Sequence, residues 1–354
     1  MLILAIDTSA DDTSVAILRD RCVIASVTSS QITSHAGWGG IMPIVAKLAH
    51  EKKIDPVLKR ALNLFQKARH PDLNRCYTQT DIDAIAVTQG PGLSIALEVG
   101  ILKAKELAIT MNKPLIAVNH MEGHLYSPFV QNSVGLPQRD IPSRFLSLLI
   151  SGGHTQIIQV DGNGKYTILG ETVDDAAGEA LDKAARMLGF GYPGGAVIER
   201  LAHEVSNLDT FHFPRPMIGQ QTLDMSFSGL KTHLMYFLKG EKGVVVDQVG
   251  QLREIASSFQ EAVFDTVIRK LDKAVIQTGI TTLAVGGGVI ANKRLRYLTR
   301  KLMKKHHDIP LFPPLKYLCG DNAAMIGVAA WRQAERGEFV TDIQNLSREP
   351  RKSL

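Results

Sequence analysis

The sequence predicts an α/β protein made of two related lobes. Short apolar segments with the composition of buried strands alternate with longer segments of helical periodicity along the chain, and this alternation is typical of α/β domains. A β-hairpin with a small polar turn opens the chain, and a hairpin of the same plan returns about 140 residues later. Repetition of one supersecondary plan within a single chain indicates two lobes built alike.

Each predicted element follows from a local pattern. The first hairpin joins residues 2–6 to residues 14–18 through an acidic turn, and the second joins residues 145–150 to residues 156–160 through a glycine-containing turn. Three further apolar runs predict strands at 84–87, 115–118 and 283–285. Apolar residues at helical spacing predict helices at 93–111, 176–188 and 255–278 and a basic amphipathic helix at 293–307.

These elements suggest a domain division. We place an N-terminal lobe at residues 1–138 and a C-terminal lobe at residues 143–322, with the crossover at Pro137–Pro142. A final helix at residues 323–340 is expected to pack back on the N-terminal lobe.

Composition narrows the class of protein. No segment approaches the roughly 20 apolar residues of a membrane helix, and the N-terminus turns polar too early for a signal peptide. Three widely separated cysteines suit a reducing compartment and exclude a metal cluster held by cysteine alone. The net charge of +5 permits a polyanionic partner. We therefore expect a cytoplasmic protein without a membrane partner.

Two histidines one helical turn apart, His120 and His124, form a candidate metal site. At about 100° per residue their side chains lie within about 40° of each other, whereas Glu122 points about 180° away from their mean direction. Metallopeptidases place a general-base Glu directly after the first His or directly before the second. The pair therefore indicates a binding site without a peptidase base, although two histidines at this spacing also occur by chance.

Two glycine-containing turns follow predicted strands and are candidates for phosphate binding. In Ser151-Gly152-Gly153 and Gly286-Gly287-Gly288 the glycines lack side chains that would keep an anion from the backbone N–H groups, and the second turn is expected to enter a helix whose N-terminus adds a favourable dipole. Neither turn has the P-loop pattern or the dinucleotide-binding pattern. Two interpretations are open. The turns of both lobes hold a nucleotide, or they are ordinary tight turns.

Eight segments, in order along the chain, resemble the TsaD family of tRNA N6-adenosine threonylcarbamoyltransferases. They are Asp7–Thr13, His120–His124, Ser151–Thr155, Asp174–Lys183, Tyr192–Gly195, Ser226–Thr232, Gly287–Asn292 and Asp321–Ala324. The Asp174–Lys183 and Ser226–Thr232 segments are similar to the bacterial branch. The resemblance implies the actin/Hsp70/sugar-kinase (ASKHA) fold, in which two ribonuclease-H-like lobes enclose a nucleotide cleft.

The resemblance also implies the residues of the site. One divalent ion per subunit, iron or else zinc, would be held by His120, His124 and Asp321. The bound nucleotide, an adenylate or ATP, would contact the residues that match the family's binding positions, namely Leu149, Ile150, Ser151, Gly152, Gly153, Asp182, Gly195, Glu199 and Asn292. Asp182 would bind ribose hydroxyls. Asp11 is the candidate catalytic base, or alternatively an Asx-turn residue that closes the first hairpin.

The implied reaction transfers the threonylcarbamoyl group of threonylcarbamoyl-AMP to N6 of the adenosine 3′ of the anticodon in ANN-decoding tRNAs. The implied partners are tRNA, a catalytically inactive paralogue (TsaB), a P-loop ATPase (TsaE) and a separate synthase that supplies the adenylate. The basic helix at residues 293–307 is either a solvated face or a phosphate-binding surface, and the tail Arg348–Lys352 could add non-specific contacts to RNA.

The chain departs from the family pattern at several positions. Ala10 stands where many members have Cys, Asp12 where bacterial members usually have Glu, Trp38 where Tyr is usual, and Glu98 is unusual after the Gly90–Leu93 turn.

Three other functions remain as alternatives. A metallopeptidase is disfavoured by the direction of Glu122. An ATPase, chaperone or small-molecule kinase of the same fold would not need the histidine pair. A degenerate scaffold subunit is disfavoured because His120, His124, Asp182, Asn292 and Asp321 are all present.

Overall fold

A computed structural model of the chain describes residues 1–35, 37, 40–162, 164–240 and 250–354, so Trp38 lies outside the described residues. The chain divides into two units, and the first contains both ends of the chain. It comprises Met1–Ile141 together with Pro313–Leu354, whereas the second comprises Pro142–Phe312. The chain therefore returns to the first unit at Pro313, earlier than the expected position 323, and this earlier return places Asp321 in the same unit as the two histidines.

The first unit is built on a five-stranded mixed sheet of order β3-β2-β1-β4-β5. Its strands are β1 (Leu2–Asp7), β2 (Asp12–Arg19), β3 (Cys22–Ser30), β4 (Ala84–Gly90) and β5 (Leu115–Asn119). Strands β1, β4 and β5 run parallel. On the other side of β1, β2 pairs antiparallel with β1 and β3 pairs antiparallel with β2. Every residue of β1 and β4 is buried, as expected for central strands covered by helices on both faces.

Four helices of the first unit follow in chain order: α1 (Ile32–His35), α2 (Pro43–Lys67), α3 (Ser94–Met111) and α4 (His120–Tyr126). Helix α2 begins with a proline, which lacks the N–H that a first turn leaves unbonded anyway. Helix α3 ends where Asn112 adopts the left-handed conformation, with φ of 51°. Helix α4 follows β5 without a loop.

The second unit contains a four-stranded sheet of order β8-β7-β6-β9. Its strands are β6 (Arg144–Ile150), β7 (Thr155–Asp161), β8 (Lys165–Glu171) and β9 (Leu283–Gly286). Strand β6 pairs antiparallel with β7 and parallel with β9, just as β1 pairs with β2 and β4. The shared order and pairing confirm the predicted α/β fold and its duplicated plan.

The helices of the second unit are α5 (Ala177–Met187), α6 (Gly195–Glu204), α7 (Ser228–Leu238), α8 (Leu252–Thr278) and α9 (Lys293–Lys305). The glycine turn after β9 leads towards α9. A 3-10 turn at Gly288–Ala291 comes first, because the Asn292 side chain accepts hydrogen bonds from the N–H groups of Arg294 and Leu295 and thereby starts α9 at Lys293.

The chain then returns to the first unit with α10 (Ala323–Glu335), which packs against α4, β1, β2 and β5. Its residues Ala323–Ala330 are all buried, so α10 covers one face of the first sheet. Among the described helices, none combines the length and the apolar character that crossing a bilayer requires.

Candidate functional site

Helix α4 presents two buried imidazoles side by side. Asn119 caps the helix, since its side chain accepts a hydrogen bond of 2.9 Å from the N–H of Met121. His120 and His124 are 5% and 1% exposed, and their ring centroids lie 4.7 Å apart at an interplanar angle of 80°. Both rings therefore point into the interior of the first unit.

Asp321 brings a carboxylate to the same point. Its Oδ1 lies 3.4 Å from Nε2 of His120 and 3.2 Å from Nε2 of His124. The next residue, Asn322, caps α10 by accepting from the N–H of Met325 at 3.0 Å, and this cap fixes Asp321 just ahead of the helix. The structure thus brings together the three residues that the resemblance assigns to a metal, with one ligand atom of each within 4.8 Å of the others.

The positions of these nitrogen and oxygen atoms suit coordination of a divalent cation better than they suit hydrogen bonds among the side chains. Among the described residues, both ring nitrogens of His124, Nδ1 of His120 and Oδ2 of Asp7 are buried without a hydrogen-bond partner, so the 3.2 Å contact of His124 lacks the direction of a hydrogen bond. Tetrahedral ligands about 2.0–2.1 Å from an ion lie about 3.3–3.4 Å from each other, close to the separations seen here. Two imidazoles and one carboxylate also leave coordination positions open for a ligand.

The charges of the site are coupled. Burial disfavours a charge on His120, but Asp321 and Asp7 outweigh burial and raise the pKa of His120 to about 10. Burial lowers the pKa of His124, and the charged His120 holds the pKa of Asp321 well below its usual range despite burial. The raised pKa of His120 and the lowered pKa of Asp321 therefore share one cause, the attraction between a charged imidazole and the carboxylates beside it.

Asp7 completes the surroundings of His120 and was not predicted as a site residue. The carboxylate is fully buried, and its Oδ1 lies 3.7 Å from Nδ1 of His120 and accepts a 2.8 Å hydrogen bond from Thr88 Oγ1. Asp7, Thr88 and Asn119 come from β1, β4 and β5, whose carboxyl ends meet at one edge of the sheet. Ligands bind at such edges in α/β proteins, which is the signal that could have identified Asp7.

Asp11 and Asp12 follow Asp7 in the turn of the first hairpin. Burial and the nearby Asp321 raise the pKa of Asp11. Burial also raises the pKa of Asp12 to about 7, with further contributions from Asp11, Asp321 and Asp7. Asp7 makes an Asx-turn bond of its own, since its Oδ1 accepts from the N–H of Ser9 at 3.2 Å. The turn therefore gathers carboxylates beside the histidine pair.

Asp12 should make the metal-free protein less stable as the pH rises. Its pKa is about 7 in the folded chain and near 3.8 in the unfolded chain, so the folded state binds more protons between these values and the free energy of unfolding falls across that window. We expect Asp12→Asn to stabilise the metal-free protein by about 1–3 kcal/mol at pH 8. At pH 4 the substitution should change the free energy of unfolding little. Urea unfolding of chelator-treated protein at both pH values measures this difference.

The matched control is Asp72→Asn, at a carboxylate whose side chain is 78% exposed, and it should leave the pH profile unchanged. Parallel pH profiles for Asp12→Asn and the unmodified chain would contradict the expected effect.

Glu122 faces away from the histidine pair, as the helical geometry predicted. It is 3% exposed, and its Oε2 accepts a 2.8 Å hydrogen bond from Gln333 Nε2 while its Oε1 lies 3.3 Å from Arg336. Both partners belong to α10 or follow it directly. Glu122 therefore ties α4 to α10, and a peptidase base is absent from its position.

In the second unit, the end of β6 and the turn that follows it contain the first group of predicted nucleotide-binding residues. Leu149 and Ile150 are buried at the end of β6, and the N–H of Ser151 donates to the carbonyl of His154 at 2.8 Å. Gly152 and Gly153 are exposed, and a Cβ added at either would meet nothing within 4 Å. Their backbone is therefore open to an incoming ligand.

Helix α5 supports this turn at close range. A Cβ on Gly178 would lie 2.5 Å from the carbonyl O of Ser151, so only glycine allows the start of α5 to approach so closely. The N–H of Ala177 donates to Thr155 Oγ1 at 2.9 Å, which joins α5 to the start of β7. The Ala-Gly pair in the Asp174–Lys183 segment thus has a structural reason.

Of the remaining predicted nucleotide-binding residues, Gly195 begins α6 and Asn292 caps α9, whereas Asp182 and Glu199 lie within α5 and α6. Oδ1 of Asp182 accepts from the N–H groups of Gly194 and Gly195 at 2.8 and 2.9 Å, so a ribose contact would fall to its other oxygen. Oε1 of Glu199 accepts from the N–H of Lys293 at 2.7 Å. Asn292, besides capping α9, donates from Nδ2 to Gln260 at 2.9 Å.

Two segments that carry the resemblance are joined through a pair of aspartates. Asp174 accepts hydrogen bonds of 2.5–3.1 Å from the segment Ser226–Ser228, through both serine hydroxyls and two backbone N–H groups. Asp175 pairs with Lys183 at 2.7 Å and with Lys231 at 2.8 Å. No sequence pattern indicated these pairings, which fix the start of α7 beside α5.

Solved structures of similar fold include two of HypF. The chain superposes on HypF from T.kodakarensis with a TM-score of 0.62 at 13% identity, covering 95% of this chain and 48% of that one. A full-length HypF in the phosphate- and nucleotide-bound form gives a TM-score of 0.57 at 13% identity, covering 94% of this chain and 55% of that one. At such identities the likeness shows the fold alone, and it agrees with the expected ASKHA fold.

Curated relatives are much closer in sequence. The chain is 43% identical over 330 residues to a tRNA N6-adenosine threonylcarbamoyltransferase of Syntrophotalea carbinolica, covering 93% of this chain and 90% of the relative. It is 44% identical over 342 residues to the protein of that name from Thermodesulfovibrio yellowstonii, covering 96% of each. Residues 22–328 match the family described as TsaD: tRNA N6-adenosine threonylcarbamoyltransferase. The chain therefore belongs to the TsaD family.

Proposed function

We propose that this chain transfers the threonylcarbamoyl group from threonylcarbamoyl-AMP to N6 of the adenosine 3′ of the anticodon in ANN-decoding tRNAs. The observation that carries the proposal is the convergence of His120, His124 and Asp321, with buried donors that lack partners, in a member of this family. The competing peptidase function has no base at Glu122. An ATPase or kinase of the same fold leaves the histidine pair unexplained.

The proposed ion is held by His120, His124 and Asp321. A site of two histidines and one carboxylate with open positions suits iron(II) best, and zinc second. When bound, the ion supplies Lewis-acid and template chemistry for the adenylate. Asp7 would orient the His120 ring through Nδ1, and Glu122 would hold α4 against α10.

The proposed adenylate site is the turn Ser151–Gly153, with Leu149 and Ile150 before it, and the surrounding helix starts. The open backbone at Gly152 and Gly153 suits phosphate oxygens. Asp182 would accept from ribose hydroxyls through Oδ2. The other proposed contacts are Gly195, Glu199 and Asn292. ATP could occupy the same residues.

In the proposed reaction, the N6 amine attacks the carbamoyl carbonyl carbon. The new C–N bond forms as the C–O bond to the phosphate of AMP breaks, AMP departs with that electron pair, and N6 loses one proton. Asp11 is the proposed acceptor of this proton, because its raised pKa makes it a stronger base than an ordinary carboxylate. Asp12, with a pKa of about 7, is the alternative, so comparing Asp11→Asn with Asp12→Asn tests the assignment.

The proposed partners are tRNA, a TsaB-like inactive paralogue, a TsaE-like P-loop ATPase and a separate synthase that makes threonylcarbamoyl-AMP. Membership of the family supports them, and for a tRNA-modifying enzyme we propose a cytoplasmic location. Assays should therefore include both partner subunits.

Helix α9 is the proposed surface for tRNA phosphates. Two of its cations are paired with acids, Arg294 with Glu261 at 2.6 Å and Lys305 with Asp272 at 2.8 Å. Four others are exposed and have no acidic partner in the described part of the chain: Lys293, Arg300, Lys301 and Lys304. They lie within about 100° of one another around the helix. The same face carries Tyr297, which is 54% exposed and could stack on a base.

Reversing two of these charges should weaken tRNA binding specifically. We expect Lys301→Glu with Lys304→Glu to raise the Kd for tRNA about tenfold and to reduce the slope of log Kd against log salt concentration by the contribution of about two phosphate contacts. The adenylate affinity should stay unchanged. Filter binding of tRNA across a salt series measures both quantities.

A matched control is Lys52→Glu with Lys53→Glu, at exposed lysines of α2. Equal weakening in the control would show that only net charge matters, and an unchanged salt dependence in the α9 variant would exclude α9 as the tRNA surface.

The proposed function is tested by incubating the purified chain with threonylcarbamoyl-AMP and unmodified ANN-decoding tRNA, with and without the partner subunits. Digestion and mass spectrometry of the nucleosides should detect threonylcarbamoyladenosine, and His120→Ala should abolish it. A complete absence of product with the partners present would refute the proposal and favour an ATPase or scaffold role.

A further inference from the structure

The polar tail of the chain is folded onto the first unit, and we name residues Ser347–Leu354 the C-terminal strap. Gln89, at the carboxyl end of β4, is its main anchor. Nε2 of Gln89 donates to the Ser347 carbonyl at 3.0 Å and to Glu349 Oε1 at 2.9 Å, and the Gln89 carbonyl accepts from the N–H of Glu349 at 2.9 Å. Lys352 Nζ donates to Gln89 Oε1. One side chain therefore binds three strap residues.

The strap has a second anchor at the start of α3. Arg348 donates to Ser94 Oγ at 2.7 Å and lies 3.0 Å from Glu98, so the unusual Glu98 has a partner within the chain. A Cβ on Gly90 would overlap the carbonyl of Glu349. The expectation that the tail offers its charges to RNA therefore does not hold for Arg348 and Lys352, which are bound to the first unit.

The end of the strap reaches the cap of the histidine helix. Asn119 is 6% exposed, and its Nδ2 donates to the Ser353 carbonyl at 2.8 Å while its Oδ1 accepts from the N–H of Met121 at 2.9 Å. Both ends of one planar amide are thus engaged, one by the strap and one by α4. His120 is the next residue, so the orientation of the Asn119 amide affects the first turn of α4, which carries His120.

We propose that the C-terminal strap is a positioning element for the metal helix, acting through Asn119. Helix α4 has only seven residues, too few to form without outside contacts, and its first turn depends on its cap. Fixing the Asn119 amide fixes the direction of His120 towards Asp321 and Asp7. The inference rests on the proposed metal site, and it assigns a function to the backbone carbonyl of Ser353.

Removing Ser353 and Leu354 tests the inference with the anchors at Gln89 and Glu98 left in place. A second variant, Asn119→Ser, keeps a good helix cap but is too short to reach the strap. Zn²⁺ affinity is measured by competition with a chromophoric chelator, and the visible absorption of bound Co²⁺ reports ligand geometry. We expect about tenfold weaker binding and an altered Co²⁺ spectrum for both variants. Ser353→Ala, which retains the carbonyl, should match the unmodified chain.

The outcomes separate this inference from the proposed metal site. Unchanged affinity and an unchanged Co²⁺ spectrum in the truncated chain would overturn the positioning role, even if its melting temperature fell. If the truncated chain does not fold, Asn119→Ser decides by the same two readings. An unmodified chain that binds neither ion would refute the metal site itself.

Discussion

Replacing Asp321 with Ala is expected to abolish metal binding and to reduce threonylcarbamoyl transfer by about 10²–10³-fold, equivalent to the several kcal/mol that a Lewis acid contributes to a transition state. Among the described residues, the Asp321 carboxylate is the one anionic group that contacts both imidazoles. Without it, the buried His120 and His124 would hold a divalent cation through two neutral ligands only. Metal content by mass spectrometry and the yield of modified nucleoside from the same preparation measure the effect.

Glu122→Gln is the control on the same helix. It removes a carboxylate that is as deeply buried but directed at Gln333 and Arg336, so we expect some loss of stability with metal content and transfer retained. Transfer that survives in Asp321→Ala, or that disappears in Glu122→Gln while metal is retained, would contradict the assignment of roles on α4 and would reopen the peptidase alternative.

A methyl group at Gly152 or Gly153 should weaken adenylate binding by about 10- to 100-fold without affecting folding. A Cβ at either position meets no atom of the described chain within 4 Å, so stability should change by less than about 0.5 kcal/mol. The methyl group would instead occupy the space through which a phosphate oxygen approaches the backbone. Losing one charge-assisted hydrogen bond corresponds to about 1.5–3 kcal/mol. Calorimetric titration with a non-hydrolysable adenylate analogue measures the affinity.

Gly219→Ala provides the matched control, since Gly219 lies in the second unit and a Cβ there is equally unobstructed. It should leave the adenylate affinity unchanged. Wild-type affinity in both Gly152→Ala and Gly153→Ala would exclude this turn as the phosphate-binding element.

Local patterns predicted most of the secondary structure. The helices expected at 93–111, 176–188 and 255–278 appear as Ser94–Met111, Ala177–Met187 and Leu252–Thr278, because amphipathic periodicity and glycine or asparagine stops act over a few residues. The direction of Glu122 also followed from helical geometry alone, since 100° per residue fixes its angle to both histidines.

Contacts between distant parts of the chain could not be predicted in the same way. Asp321 entered only through the family resemblance, because no spacing rule connects it with α4. Asp7 looked like a turn residue, and only the parallel alignment of β1, β4 and β5 shows that it faces His120. The strap looked like a solvated tail, because its contacts with Gln89 and Asn119 join residues more than 200 positions apart.

The sequence predicted the basic character of α9 but not which of its charges are paired. The amphipathic pattern predicted the helix and its basic face, and the helix is observed at Lys293–Lys305. Which cations are neutralised depends on Glu261 and Asp272 of α8, whose position beside α9 is set by packing. The sequence therefore indicated a basic surface but could not separate its structural charges from its exposed ones.

The most direct test of the central claim is to measure transfer against metal occupancy in one preparation. The chain is stripped with a chelator, reloaded with iron(II) or zinc in graded amounts, and assayed with threonylcarbamoyl-AMP, tRNA and the partner subunits. Nucleoside yield should rise in proportion to occupancy and reach its limit at one ion per chain. A yield that is the same in stripped and fully loaded protein would contradict the claim that His120, His124 and Asp321 form the metal centre of this transferase.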